Sequence, residues 1–94
     1  MTRIPTVMSI AGSDSGGGAG IQADLKTIAA NGAYGTTAVT AITAQNTIGV
    51  NDIKEMPVDL VESQIDAVIK DIGVDAVKTG MLSSVEMVLC VSRK

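Results

Sequence analysis

The chain contains no histidine, tryptophan or phenylalanine, and it has one tyrosine and one cysteine. Each absence removes a class of function. Without histidine, the commonest general base and the commonest metal ligand are missing. Without aromatic faces there is no platform on which the bases of a single-stranded nucleic acid could stack. Cys90 stands alone, so neither an intramolecular disulfide nor a thiolate zinc site is available, and it reads as a small core residue in a reducing compartment. Basic residues are also scarce. Seven Lys and Arg against ten Asp and Glu leave a formal charge of −3, and the seven are scattered, which argues against phosphate-backbone binding. Long apolar runs are absent too. No stretch approaches the ~20 residues of a membrane span. The apolar run near the N-terminus, broken by Pro5 and Asp14, is too short for a signal peptide.

What remains is 94 residues, 46% hydrophobic and 18% charged, the balance of one small globular α/β domain in the cytoplasm. A chain of this size buries roughly 60–68% of the surface that its unfolded form exposes, enough for a modest core.

Glycine is the residue in surplus. Gly12, Gly16, Gly17, Gly18 and Gly20 fall between the apolar run Val7–Ala11 and a segment of helical spacing. A strand feeding a glycine-rich turn and then a helix places backbone N–H groups at a helix N-terminus, where the macrodipole favours an anion or polar ligand. The loop is not a Walker A loop, because Ala19 and Gly20 follow Gly18 where Lys-Ser/Thr is required. A dinucleotide fingerprint over Gly18, Gly20 and Ala23 would lie inside the helix rather than in the turn before it.

In chain order, Thr6 to Ala11 reads as a buried parallel strand. A helix follows from about Ala19 to Ala30, with Ile21, Leu25, Ile28 and Ala29 on one face and Asn31-Gly32 as its stop. Asp24 falls roughly 40° from Ile28 on that helix, at the border of the apolar face. It can point into a cleft at the strand ends or serve as an acid of the first turn. Thr36 to Ala44, rich in β-branched residues, is a second strand, ending at Thr43-Ala44-Gln45-Asn46. The Gln45 carboxamide carries a donor and an acceptor and can pair with the edge of a heterocycle, whereas Asn46 reads as a turn residue.

Gly49 to Met56 reads as a hairpin arm or flap strand. Pro57 opens a helix at its first position, with Val58, Val61, Ile65, Val68, Ile69 and Ile72 as the apolar face and Gly73 as the end. Asp75 to Thr79 is a third strand ending at Gly80-Met81. Ser83-x-x-Glu86 reads as a capping box, stapled by Leu82 and Met87, that opens a last helix. The order β-α-β-α-β-α implies a parallel sheet. The glycine loop, Gln45 and Gly80-Met81 all fall at the same ends of the strands, which predicts a ligand cleft there.

The run Ile10 to Lys26 (IAGSDSGGGAGIQADLK) resembles the N-terminal signature of the hydroxymethylpyrimidine/phosphomethylpyrimidine kinase family. Gly32-Ala-Tyr-Gly35, Thr43-Ala-Gln-Asn46 and Asp75-Ala-Val-Lys-Thr-Gly-Met-Leu82 match in the same order and spacing. The resemblance implies a ribokinase-like α/β fold, a partial three-layer sandwich with parallel central strands. It further implies ATP-dependent phosphorylation of 4-amino-5-hydroxymethyl-2-methylpyrimidine and then of its monophosphate, in thiamine biosynthesis.

Carried over by position, Asp24 and Gln45 become polar contacts to the pyrimidine, with Gln45 reading a ring nitrogen and the amino group. Gly12 contributes backbone, Thr43 and Met81 line the pocket, and the loop with Gly16, Gly17, Gly18 and Gly20 closes over the substrate. In the family the catalytic base, the anion hole and most contacts to ATP and Mg2+ lie beyond residue 94. Residues 1–94 are therefore expected to form the substrate-binding portion of a truncated kinase domain, with no catalytic residue or metal ligand of its own and negligible turnover alone. Two alternatives from other classes are a non-catalytic half-domain, seeking a partner chain or a second copy through an exposed sheet edge, and a dinucleotide-binding protein using the glycine loop.

Overall fold

The structure, a computed structural model, describes residues 3–80 together with Leu82, Met87, Val91 and Ser92. Its elements are β1 (Thr6–Ser13), α1 (Gly20–Ala30), β2 (Tyr34–Gln45), β3 (Val50–Glu55), α2 (Val58–Asp71) and β4 (Ala76–Thr79). They form one sheet in the order β3-β2-β1-β4. β1 pairs in parallel with β2 on one side and β4 on the other, and β3 adds antiparallel to β2.

Side-chain alternation along β1 separates the layers. Met8 and Ile10 face one way and pack with Ala38, Val61, Ile65 and Met87. Ser9, between them, faces α1, where its hydroxyl meets Asp24. Helices α1 and α2 therefore cover opposite faces of the sheet. The result is the expected α/β/α sandwich around parallel central strands.

Several expectations are adjusted. β1 runs two residues further than Ala11, through Gly12 and Ser13, and β2 runs from Tyr34 to Gln45. Pro57 is the N-cap of α2 and not its first helical residue. The apolar face of α2 is narrower than its periodicity suggests. Val61 and Ile65 are buried, whereas Ile69 and Ile72 are 45% and 46% exposed. α2 packs on β2, and Val58 and Val68 join Val61 and Ile65 against the core, which leaves Ile69 and Ile72 outside the buried stripe. The capping box at Ser83–Glu86, Met81, Cys90 and the Arg93-Lys94 end of the predicted last helix lie outside the described residues. Of that helix, Met87 is helical and joins the core.

Two polar devices hold the sheet in register. Beyond Glu55 the chain turns away at Pro57, so β3 does not reach Val39 of β2. The Gln64 carboxamide stands in for the missing strand, accepting from Val39 N–H at 2.8 Å and donating to its carbonyl at 2.9 Å. At the start of β4, Asp75 accepts from Thr6 N–H at 2.8 Å and receives a two-pronged Arg3 guanidinium at 2.9 and 2.7 Å. The Arg3 hydrogen bond, followed by the Thr6 amide, holds the Asp75 carboxyl well below the usual carboxylate range.

Since folding lowers that pKa, the stabilisation is present above the unfolded value of roughly 3.9 and is lost as pH falls through the folded one. Asp75→Asn is expected to make the acid limb of stability shallower in urea unfolding followed from roughly pH 5 to pH 2. An unchanged limb would contradict the assignment.

Candidate functional site

The C-terminal ends of β1, β2 and β4 open into a cavity of about 600 Å³, with β3 as a side wall. A concavity of this size at strand ends in an open α/β sheet suits a small-molecule ligand. Gly12 and Ser13 contribute from β1, Thr40, Thr43 and Gln45 from β2, and Val50, Ile53 and Glu55 from β3. Lys78 and Gly80 line the side nearest β4.

The glycine loop is organised from within by Asp14, only 6% exposed. Its Oδ1 accepts from Gly16 N–H at 2.7 Å, and its Oδ2 accepts from Gly18 and Ala19 N–H at 3.0 and 2.8 Å. The amides expected to offer themselves to a ligand are thus filled by a carboxylate of the chain itself. Three further ties fix the loop. Ser15 Oγ donates to the Gln45 carbonyl at 2.6 Å and accepts from Gln45 N–H at 2.7 Å. Gln22 accepts from Asp14 N–H and donates to Ser13 Oγ, both at 2.8 Å. Lys26 Nζ donates to the Gly17 carbonyl at 2.8 Å.

Gly20 is where this geometry needs glycine. Its φ is +60°, and a Cβ there would drive into the Gly12 carbonyl. Of the loop glycines, Gly20 lines the cavity, while Gly16, Gly17 and Gly18 are not among the lining residues. With Gly16 and Gly18 amides occupied, the loop lacks the open anion cradle that a dinucleotide site requires.

Gln45 and Thr43 come together at the end of β2. The Thr43 hydroxyl lies 2.7 Å from the Ser13 carbonyl and 3.1 Å from Gln45 Oε1. Its one proton serves one acceptor, so the Gln45 amide keeps two orientations, each leaving a hydrogen-bonding group for a ligand. Asn46 is a turn residue, as its sequence context suggests, its Oδ1 accepting from Ile48 and Gly49 N–H.

Asp24 is the fifth residue of α1, beyond the first-turn position, and it is not among the lining residues. Its Oδ2 accepts from the fully buried Ser9 hydroxyl at 2.6 Å. Lys78 Nζ closes on both carboxylate oxygens at 3.1 and 2.9 Å. The Ser9 hydroxyl, followed by Lys78, holds the Asp24 carboxyl below its ordinary range against the cost of partial burial. Asp24 and Gln45 therefore approach the same cavity by different routes. Gln45 lines it directly, whereas Asp24 reaches it through Lys78. Met81 lies outside the described residues.

Sequence reading passed over Asp14, Lys78 and the β3 wall. The first two carried signals: an acid two residues before a glycine can close an Asx turn, and a lysine amid apolar residues is unusual in a short parallel strand. Among the described residues no three His, Cys, Asp or Glu side chains converge as metal ligands, and no helix is long and apolar enough to cross a membrane.

Residues 14–94 match the sequence model of the family described as phosphomethylpyrimidine kinase. The chain belongs to that family. It is 61% identical over 88 residues to the hydroxymethylpyrimidine/phosphomethylpyrimidine kinase of Mycobacterium tuberculosis, a match covering 94% of this chain and 32% of the relative. The crystal structure of phosphomethylpyrimidine kinase from Clostridium difficile superposes with a TM-score of 0.88 at 52% identity, over 97% of this chain and 39% of that one. The pyridoxal kinase of Staphylococcus aureus, in complex with AMP-PCP and pyridoxal, superposes with a TM-score of 0.87 at 39% identity, over 98% and 34%. The fold is thus that of the pyridoxal and phosphomethylpyrimidine kinases, ribokinase-like. The chain spans about a third of the length of the curated relatives it matches.

Gly20→Ala is expected to destabilise this family member by at least ~1–3 kcal/mol through its left-handed φ alone. It should also speed hydrogen exchange at the Gly16, Gly18 and Ala19 amides. Unchanged urea unfolding and unchanged exchange would show that the loop does not depend on this turn.

Proposed function

We propose that this chain forms the substrate side of a kinase that phosphorylates 4-amino-5-hydroxymethyl-2-methylpyrimidine and then its monophosphate, in the cytoplasmic synthesis of thiamine. The observation that carries the reading is the Gln45 carboxamide at a strand-end cavity in a chain of the phosphomethylpyrimidine kinase family. On this reading Gln45 pairs with a ring nitrogen and the amino group, while Gly12 offers backbone and Thr43 and Met81 line the pocket. Gly20 sets the turn beneath which the ring lies, Gly16, Gly17 and Gly18 form the covering loop, and Asp24 acts on the polar rim through Lys78.

In the first transfer the hydroxymethyl oxygen attacks the γ-phosphorus of ATP and its proton passes to a general base, and in the second an oxygen of the monophosphate attacks. In each, the bond to the β,γ-bridging oxygen breaks and ADP leaves. Phosphoryl transfer depends on positioning and on stabilising the charge of the moving group. That base, the anion hole and the ATP and Mg2+ contacts are assigned outside residues 1–94, which makes turnover by this stretch alone negligible. Support for the nucleotide comes from the pyridoxal kinase bound to AMP-PCP. The same structure, with pyridoxal also bound, favours a second reading in which the ligand is a pyridoxal-type ring.

The ligand is a small heterocycle, not a nucleic acid or a membrane. Among the described residues no strand pairs with the outer edge of β4, whose four residues are exposed, which supports a further role in pairing with another chain or a second copy.

Calorimetric titration with hydroxymethylpyrimidine should give binding that Gln45→Ala weakens by roughly tenfold to a hundredfold, the loss expected for two hydrogen bonds to a buried ligand. Absence of heat, or indifference to the substitution, would remove the reading, and stronger binding of pyridoxal would favour the second one. Sedimentation of the same sample should show self-association that a charged substitution, Val77→Lys, abolishes. A monomer at high concentration would exclude pairing through β4.

A further inference from the structure

The cavity has two devices that could receive an anion, and one of them is already filled. The Gly16, Gly18 and Ala19 amides of the loop, just ahead of α1, are occupied by Asp14, as described above. The other is Lys78, the only cationic side chain lining the cavity among the described residues. Its side chain is 52% exposed, whereas that of its partner Asp24 is 18% exposed. Two of the three ammonium protons are directed at Asp24 Oδ1 and Oδ2. The third is left for the cavity.

Ser9 fixes this pair from below. Fully buried in β1, it donates to Asp24 Oδ2 at 2.6 Å, so the carboxylate cannot swing without leaving a buried hydroxyl unpaired. Lysine carries four rotatable bonds, and a clamp of this kind removes much of the entropy that a ligand would otherwise have to overcome. Among the described residues two acids line the cavity: Asp14, bonded to the loop amides, and Glu55 on the β3 wall, which disfavours an anion on that side.

We propose that Lys78, positioned by Asp24 and Ser9, recognises the phosphate monoester of a phosphorylated pyrimidine ligand. The inference rests on the functional reading above. It deepens that reading by assigning the discrimination between the hydroxymethyl compound and its phosphate to one ammonium group. Asp24 then acts as a positioning residue whose effect on binding passes through Lys78.

The test titrates the chain calorimetrically with hydroxymethylpyrimidine and with its phosphate ester. Lys78→Met is expected to weaken the ester by roughly tenfold to a hundredfold, the range of a charge-assisted hydrogen bond, and to leave the alcohol within about a factor of two. Lys78→Arg, which keeps the charge, should retain most of the ester affinity and guards against misfolding of the methionine variant. Asp24→Asn should change the ester-to-alcohol affinity ratio in the parent chain but not in the Lys78→Met background.

Equal weakening of both ligands by Lys78→Met, an unchanged ratio, or effects of the two substitutions that simply add would overturn the proposal while leaving the pyrimidine site intact. Failure of both ligands to bind the parent chain would overturn the functional reading and this inference together.

Discussion

A carboxylate held inside a ring of backbone amides is the constraint on which the site depends. Asp14 accepts from Gly16, Gly18 and Ala19, and nothing else in the loop has a comparable number of partners. Five glycines in a short span carry a large conformational entropy that must be lost for the loop to hold one shape. Charge-assisted hydrogen bonds to a buried acceptor offset that loss more effectively than neutral ones would. The same bonds satisfy the Gly18 and Ala19 amides just ahead of α1 and set a negative charge near the positive end of its dipole. Gly20 then allows the chain to turn past Gly12 without a clash.

From that fixed loop the cavity is assembled by strands of different lengths. Ser15 binds the loop to the last residue of β2, so the roof and one wall move together. β3, antiparallel on the outer edge, supplies a wall that no helix could, and Gln64 closes the backbone gap where β3 ends. On the opposite side, Ser9, Asp24 and Lys78 connect the buried centre of β1 through α1 to β4. A buried polar group costs free energy unless it has a partner, and the buried Ser9 hydroxyl has one in Asp24.

Much of this was legible in the sequence, for physical reasons that differ by element. The β1–loop–α1 unit announced itself because apolar residues, glycines and helical spacing follow one another without overlap. β2 was legible from its β-branched composition, and β3 from a short segment between turn residues. The width of the apolar face on α2 was not, because periodicity reports which residues could be buried and not how much sheet lies opposite. Ile69 and Ile72 have the right spacing and are nevertheless exposed. Gln45 was found because a carboxamide at a strand end has few structural duties. Asp14 was not legible as the organiser of the loop, because a glycine-rich turn points equally to an external ligand and to a carboxylate of the chain itself as the partner of its amides. The position of Asp24 was correct to the helix, but its partners depend on the register between β1 and β4, which local sequence does not encode.

The sheet order has a consequence for how the chain is made. β1 is synthesised first, yet it lies between β2 and β4, and its pairing with β4 joins Val7 to Ala76 across nearly the whole chain. A nascent chain that has emerged only as far as α2 holds β1 with one edge bare and Met8 and Ile10 without Met87 above them. Contacts of such long separation are slow to close, and apolar strands left waiting are prone to aggregate. The interval between the emergence of β1 and that of β4 is thus one in which an apolar strand of this chain waits for its second neighbour.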